Sequence, residues 1–382
     1  MLQIKYVSHM KATILSLFLL VSVLRSCAQQ NSSSILKQAL ASENQTIRRV
    51  IDRLDQYEAQ IRYTQIDRRN DSIVFPDFDF QVDQGHYFYP ASTLKFPIAV
   101  LALERLNQTD SKNTKYYIEG DSIESSIAED ISKVFAVSDN LANNRMLELL
   151  GQDAIYKSLT DKGIGLVRIS HRLDHHSSDL KTKPLIIYLN DSTTGISVTS
   201  INTAAKPLQL ERIKKGIGYY EDDAHVNDPF DFSLKNYYPI TSQHEVLKRV
   251  IFPNEFDPRK RFDLSEEQHT FLLEFMYTLP RNTGYNSTEY YDGYCKFFLY
   301  EDTTETVPDH IKIYNKVDFD YGTLTDCAYL IDGKNHVYFL LTATILANKN
   351  EVFNDDVYEY DDIGIPFLAS LGREIHTLRN RT

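Results

Sequence analysis

Hydrophobic positions along the chain change period several times, and each change marks an element. Tyr57, Ala59, Ile61 and Tyr63 alternate with Glu58, Gln60, Arg62 and Thr64, and a period of two predicts a half-buried strand. After a turn at Arg69-Asn70-Asp71 a second extended segment is expected around 72–88. From Ser92 the period lengthens. Phe96, Ile98, Ala99, Val100, Leu101, Leu103 and Leu106 describe a helix that is apolar nearly all round, which places it inside the protein. Pro97 fits because the first turns of a helix have few intrahelical N–H partners to lose. Helical spacing returns over 127–137 and over 141–150, the latter stopped by Gly151. It returns again over 265–277, where Ser265 and Gln268 stand as a capping box. Residues 186–245 are mixed, with a loop-rich insertion at 216–231.

Towards the end the pattern reverts to strands, at 311–316, 327–331 and 337–346, with Asp332-Gly333 marking a hairpin turn between the last two. Ile363, Phe367, Leu368, Leu371, Ile375 and Leu378 then form a terminal amphipathic helix. Strands at both ends with helices between them predict one antiparallel sheet built from the two ends of the chain, carrying an inserted helical block. No internal repeats are visible.

The N-terminal segment has its own logic. Lys5 and Lys11 precede an apolar stretch at 12–24 that is followed by Arg25-Ser26-Cys27. At 13 residues it falls short of the roughly 20 needed to span a bilayer, which reads as a signal peptide at 1–27. Leu24-Arg25-Ser26-Cys27 resembles the lipobox of bacterial lipoproteins, implying lipidation at Cys27 and a membrane contact through that anchor; a secreted protein cleaved nearby is the alternative. Either way the expected location is outside the cytoplasm, periplasmic or anchored at the outer membrane. Residues 28–43, rich in Gln, Asn and Ser, suit a flexible tether. Two further cysteines, Cys295 and Cys327, are open to two readings, a disulfide or a pair of buried thiols.

Composition narrows the function. With 41 Lys and Arg against 53 Asp and Glu, the 382-residue chain carries a formal charge of −12, and nothing concentrates cations for a nucleic-acid surface. The chemistry instead gathers at Tyr89-Pro90-Ala91-Ser92-Thr93-Leu94-Lys95. An S-x-x-K at a helix start sets a hydroxyl and an amine one turn apart on one face, within mutual reach. A buried helix favours a neutral amine that can serve as a base. Ser138-Asp139-Asn140 directly precedes the next helix, where a capping role alone would also account for it. On the first late strand stands Asn315-Lys316-Val317-Asp318-Phe319, followed by Asp320-Tyr321-Gly322-Thr323 and Asp326.

Taken in order, these three elements resemble those of the penicillin-recognising serine enzymes, in particular class A β-lactamases. The resemblance spans about residues 50–380. It implies an α/β (α+β) sandwich, a five-stranded antiparallel sheet flanked by helices, with an inserted all-helical subdomain and the site in the cleft. The catalytic domain would run over 44–382, its α/β part at 44–91 and 300–382 and its helical part at 92–299. Ser92 would be the nucleophile and Lys95 its activator. Ser138 would pass a proton to the leaving nitrogen, and Asn140 and Lys316 would hold substrate. Backbone N–H groups of Ser92 and of the strand near Phe319 would hold the oxyanion. Asp174, in His171-Arg172-Leu173-Asp174-His175-His176, falls where the family carries the glutamate that activates the deacylating water. His171, Asp174 and His175 could instead ligate a metal, or form a solvated loop.

The family's K-T-G strand departs here. Val317 lacks the hydroxyl that would bind a lactam carboxylate, and Asp318 adds an anion beside the substrate. The expected reaction is hydrolysis of a β-lactam or related amide through a seryl acyl-enzyme, by a monomer acting on a small molecule without cofactor or metal. A serine esterase, a peptidoglycan-directed peptidase and a penicillin-binding surface lipoprotein of low turnover are the rival readings.

Overall fold

The β-branched and aromatic runs near the end of the chain form three ten-residue strands that make up most of the main sheet. In the computed structural model, which describes residues 34–69, 72–106, 111–173, 179–286 and 288–381, the sheet strands are β1 (Gln60–Gln65), β2 (Asp77–Phe80), β3 (Ile311–Asp320), β4 (Thr323–Asp332) and β5 (Val337–Leu346). Their order is β3-β4-β5-β1-β2, with every neighbouring pair antiparallel. Both chain ends thus contribute, as the pattern predicts. β3 lies at one edge, and that edge faces the site.

Helices cover both faces. Alternate residues of the central strands serve two separate cores, a consequence of the two-residue side-chain period. Phe339, Leu341, Ala343 and Ile345 join Ile35, Leu36, Val50, Phe367, Leu368 and Leu371, which belong to α1 (Ser34–Leu40), α2 (Gln45–Ile51) and the terminal helix α8 (Ile365–Asn380). The opposite face meets α6 (Ile240–Ile251). There the packing is partly polar. His244 on α6 is fully buried and bonds Thr64 Oγ1 of β1 at 2.6 Å and Thr342 Oγ1 of β5 at 2.7 Å. Burial, with Lys248 and Arg62 nearby, drives its imidazole towards the neutral form, so each hydroxyl finds a partner without a charge being buried.

The inserted part holds α3 (Lys95–Leu106), α4 (Ile127–Val137), α5 (Asn140–Leu150) and α7 (Glu266–Tyr277). α3 is buried from Lys95 to Leu103, as its all-round apolar pattern requires. The Ser265 capping box is complete, with both reciprocal bonds made.

Two expectations need correction. Residues 28–43 are not a tether throughout, because Ser34–Leu40 is a helix whose Ile35, Leu36, Ala39 and Leu40 are buried. The inserted part is not purely helical either. Lys115–Ile118, Ser125–Ser126, Leu185–Asn190 and Thr193–Ile196 build a small four-stranded sheet, and short pairings also occupy the 216–231 region, at Gly218–Glu221 with Ala224–Val226. Of the two readings open for the cysteines, the structure shows free thiols, Cys327 buried and Cys295 partly so. The apolar stretch 12–24 and Cys27 lie outside the described residues.

One turn sets the geometry of the site's edge. β3 and β4 join through Tyr321-Gly322, flanked by the pair Asp320 and Thr323. Both turn residues have positive φ, 49° and 72°, the left-handed pair that a two-residue hairpin demands. A Cβ on Gly322 would come within 2.8 Å of Asn348 Cβ. Gly322→Ala is therefore expected to lower unfolding free energy by at least about 1–2 kcal/mol, the cost of left-handed backbone for a residue with a Cβ, as measured by urea titration.

Candidate active site

Ser92 lies in a 3-10 turn, Ala91–Leu94, that runs directly into α3 at Lys95. Ala91 just before it has φ 45°, a conformation that costs energy for a non-glycine residue and that the surrounding bonds must hold. Part of that hold is local: Thr93 donates its N–H and its hydroxyl to Pro90 O at 3.1 and 2.6 Å. Ser92 is 3% exposed and Lys95 has no exposed surface.

The corner between α4 and α5 brings in the second element. Ser138 ends α4 in left-handed backbone at φ 56°, and Asp139 caps α5 by accepting from Ala142 N at 2.7 Å. The capping role is real, and it does not use up Ser138. Lys95 Nζ donates to Ser138 O and, at 3.2 Å, to Ser138 Oγ. From β3, Lys316 Nζ donates to the same Oγ at 2.8 Å and to Val317 O at 2.7 Å. The amines of two lysines from different elements therefore meet at one hydroxyl. Burial lowers the Lys316 pKa, while Asp318, Cys295 and Asp326 pull it back up.

Behind β3, Asn315 ties a buried polar group together. It accepts from Lys296 Nζ at 2.7 Å and donates Nδ2 to Asp326 Oδ1 at 3.0 Å and to Cys295 O at 2.9 Å. Desolvation pushes Asp326 up to about 7, Glu301 up to about 8 and Lys296 down to about 8. This network fixes the strand that carries Lys316.

The cleft has a volume of about 850 Å³, and its lining includes Ser92, Ser138, Asn140, Asp318, Phe319 and Asp320. Phe319 is 45% exposed and its ring stands 4.6 Å from that of Tyr360. Lys235 enters from the far wall, its Nζ 3.2 Å from Tyr321 Oη and 5.4 Å from the centre of that ring. The loop leading to Asp174 is anchored by a buried ion pair between Arg172 Nε and Glu148 Oε1, and by Asn144, which exchanges bonds with Leu173 at 2.8 and 3.1 Å. Asp174 and His175 themselves lie outside the described residues. His171 Nδ1 bonds Arg172 O at 2.7 Å, and among the described residues no group of three His, Cys, Asp or Glu is arranged to hold a metal.

The structure therefore brings Ser92, Lys95, Ser138, Asn140, Lys316 and Phe319 to one crevice. It also shows what the sequence reading missed. The Ser92 N–H is already taken, by Asp318 Oδ2. Asp318 was legible as an anion beside a substrate, but a contact across 226 residues of chain has no local signal. Arg172, Glu148, Asn144 and Lys235 carry no motif either.

The fold is that of the β-lactamases and related penicillin-recognising enzymes. A β-lactamase from Sphaerobacter thermophilus DSM 20745 superposes with a TM-score of 0.51 at 11% identity, over 89% of this chain and 95% of that one. A mutant of PBP-A, solved as an acyl-enzyme complex with penicillin G, gives 0.53 at 13% identity, over 91% and 97%. A β-lactamase from Desulfarculus baarsii DSM 2075 gives 0.52 at 12%, over 89% and 97%. At the level of sequence, residues 44–210 match the Beta-lactamase enzyme family. No curated protein matches the chain. The family match contains Ser92, Lys95, Ser138 and Asn140 and ends before β3, the strand on which Val317 and Asp318 depart from the K-T-G pattern.

Asn315→Ala would leave Lys296, Asp326 and Cys295 O without their shared partner. Lys296 keeps Met276 O and Asp326 keeps the Phe298 N–H, and an unsatisfied buried group costs about 1–3 kcal/mol, so the variant is expected to lose about 1–3 kcal/mol in equilibrium unfolding.

Proposed function

We propose that this protein is a serine hydrolase of the β-lactamase type, working through a seryl acyl-enzyme on a β-lactam or a related amide or ester. The observation that carries this reading is the pair of buried lysines, Lys95 and Lys316, converging on Ser138 Oγ beside Ser92. A hydroxyl held between the amines of two lysines, Lys95 as neutral base and Lys316 as charged donor, is placed to pass a proton and to be recharged at once. Ser92 Oγ attacks the carbonyl carbon and its proton leaves towards Lys95. Ser138 protonates the departing atom, and the Ser92 N–H is the donor that the oxyanion needs. Water then cleaves the ester. Asp174 is the proposed activator of that water, just past a segment that Arg172, Glu148 and Asn144 hold fixed. The class A type of mechanism is part of the proposal, as are export and a lipid anchor at Cys27, which rest on the N-terminal sequence.

A second reading within the same chemistry is an esterase or peptidase that does not favour lactams. Val317 and Asp318 support it, since they leave a lactam carboxylate without a hydroxyl and face it with an anion.

Intact-mass spectrometry after incubation with a panel of lactams and esters tests the reading. One adduct is expected, on the peptide carrying Ser92, and absent from Ser92→Ala. An adduct that survives Ser92→Ala, or none with any compound, would overturn it. The acylation rate should also fall on the alkaline side at a pH below the usual lysine value of about 10.4. Burial lowers the Lys316 pKa, so its charge is lost as pH rises through that lowered value. Lys316→Arg, whose guanidinium stays charged, should move the limb to higher pH in stopped-flow acylation.

A further inference from the structure

An acyl transfer at Ser92 needs the Ser92 N–H for the carbonyl oxygen, yet that N–H donates to Asp318 Oδ2. A single N–H cannot serve a carboxylate and a substrate oxygen together, so productive binding must move Asp318 aside. Where the displaced carboxylate can go is constrained. Lys316, the neighbouring cation on the same strand, already feels the Asp318 charge, gives two of its three donors to Ser138 Oγ and Val317 O, and is buried. Val317 offers no hydroxyl, and the next acidic residue, Asp320, lines the same cleft. Lys235 sits on the far wall against the rings of Phe230 and Tyr321. Arg172 is committed to Glu148.

We propose that Asp318 is a specificity residue: it fills the oxyanion position in the resting enzyme and admits substrates that carry a positive charge on the leaving-group side of the scissile carbonyl. The proposal deepens the function given above and rests on Ser92 as nucleophile. The leaving group is the side concerned because Ser138, its proton donor, is bonded by Lys316, which precedes Asp318 on the same strand. A cation there replaces the bond that Asp318 gives up. An anion there meets the displaced Asp318 carboxylate in a partly dry cleft, where like charges repel strongly.

Three acetyl thioesters of similar size test this, with thiocholine, a neutral alkyl thiol and 3-mercaptopropionate as leaving groups. In each, the Ser92 Oγ–carbon bond forms as the carbon–sulfur bond breaks. The Ser92 proton passes through Lys95 and Ser138 to the thiol, which is read with a thiol reagent, and water then hydrolyses the acetyl ester. Wild type is expected to favour the cationic over the anionic thioester by at least about tenfold in kcat/KM, equivalent to about 1.4 kcal/mol. Asp318→Asn, nearly isosteric, should reduce that ratio to within about twofold. Asp318→Gly should do the same and also speed the neutral thioester by emptying the oxyanion position. Equal wild-type rates for the three, a preference for the anion, or a cation preference that survives Asp318→Asn overturns the proposal alone. If the folded wild type cleaves none of them and a fluorophosphonate leaves Ser92 unlabelled, the hydrolase reading falls and the proposal falls with it.

Discussion

Two lysine amines inside a protein each resist leaving water, and any charge on both would repel, so their meeting at Ser138 Oγ has to be enforced by the rest of the structure. Lys95 is delivered by a helix whose every side is apolar, which leaves its first turn no freedom to tilt. Lys316 is delivered by an edge strand that is pinned from behind by Asn315, Lys296 and Asp326. Acceptors offset the burial: Ser138 O for one amine, Val317 O for the other, and one hydroxyl for both. The left-handed backbone at Ser138 presents its carbonyl and its side chain to the same point. The site is thus a forced arrangement, with the forcing spread over two cores and one buried polar network.

The main sheet divides the work. Its central strands are buried on both faces and accept no variation in register, because a slip of one residue would exchange the two cores. The edge strand β3 has one paired side and one side turned to the cleft, and this is where the chain departs from the pattern it otherwise resembles. Departure at an edge is cheap for the fold. Val317 is buried and adds to the apolar interior, while Asp318 reaches across to the 3-10 turn and joins the two walls of the cleft.

Much of this could be read along the chain. Ser92 with Lys95, and Ser138 with Asn140, are short-range patterns tied to helix starts, and their order relative to Lys316 was enough to anticipate a common crevice. The strands from both ends of the chain were legible because each showed its period. The helix at Ser34–Leu40 was not, because averaging the composition of 28–43 hides four apolar residues among Gln, Asn and Ser. Ile35, Leu36, Ala39 and Leu40 fall on one side of a helix, a spacing visible only once that segment is considered by itself. The small sheet near 185–196 was obscured by exposed apolar residues such as Leu189 and Ile196, which break the alternation. Contacts such as Arg172 with Glu148 depend on how two loops meet in space, and no local period encodes that.

The docking of α1 on α8 also bears on how the domain is best delimited. The region of family similarity begins at residue 44, after α1 has ended. A polypeptide trimmed to that point would strip Ile35, Leu36, Ala39 and Leu40 from the core they share with Leu371 and Ile375, leaving an apolar strip on the terminal helix open to water. Such strips promote self-association. The folded unit accordingly reaches at least to the helix pair, ahead of the point where sequence similarity starts.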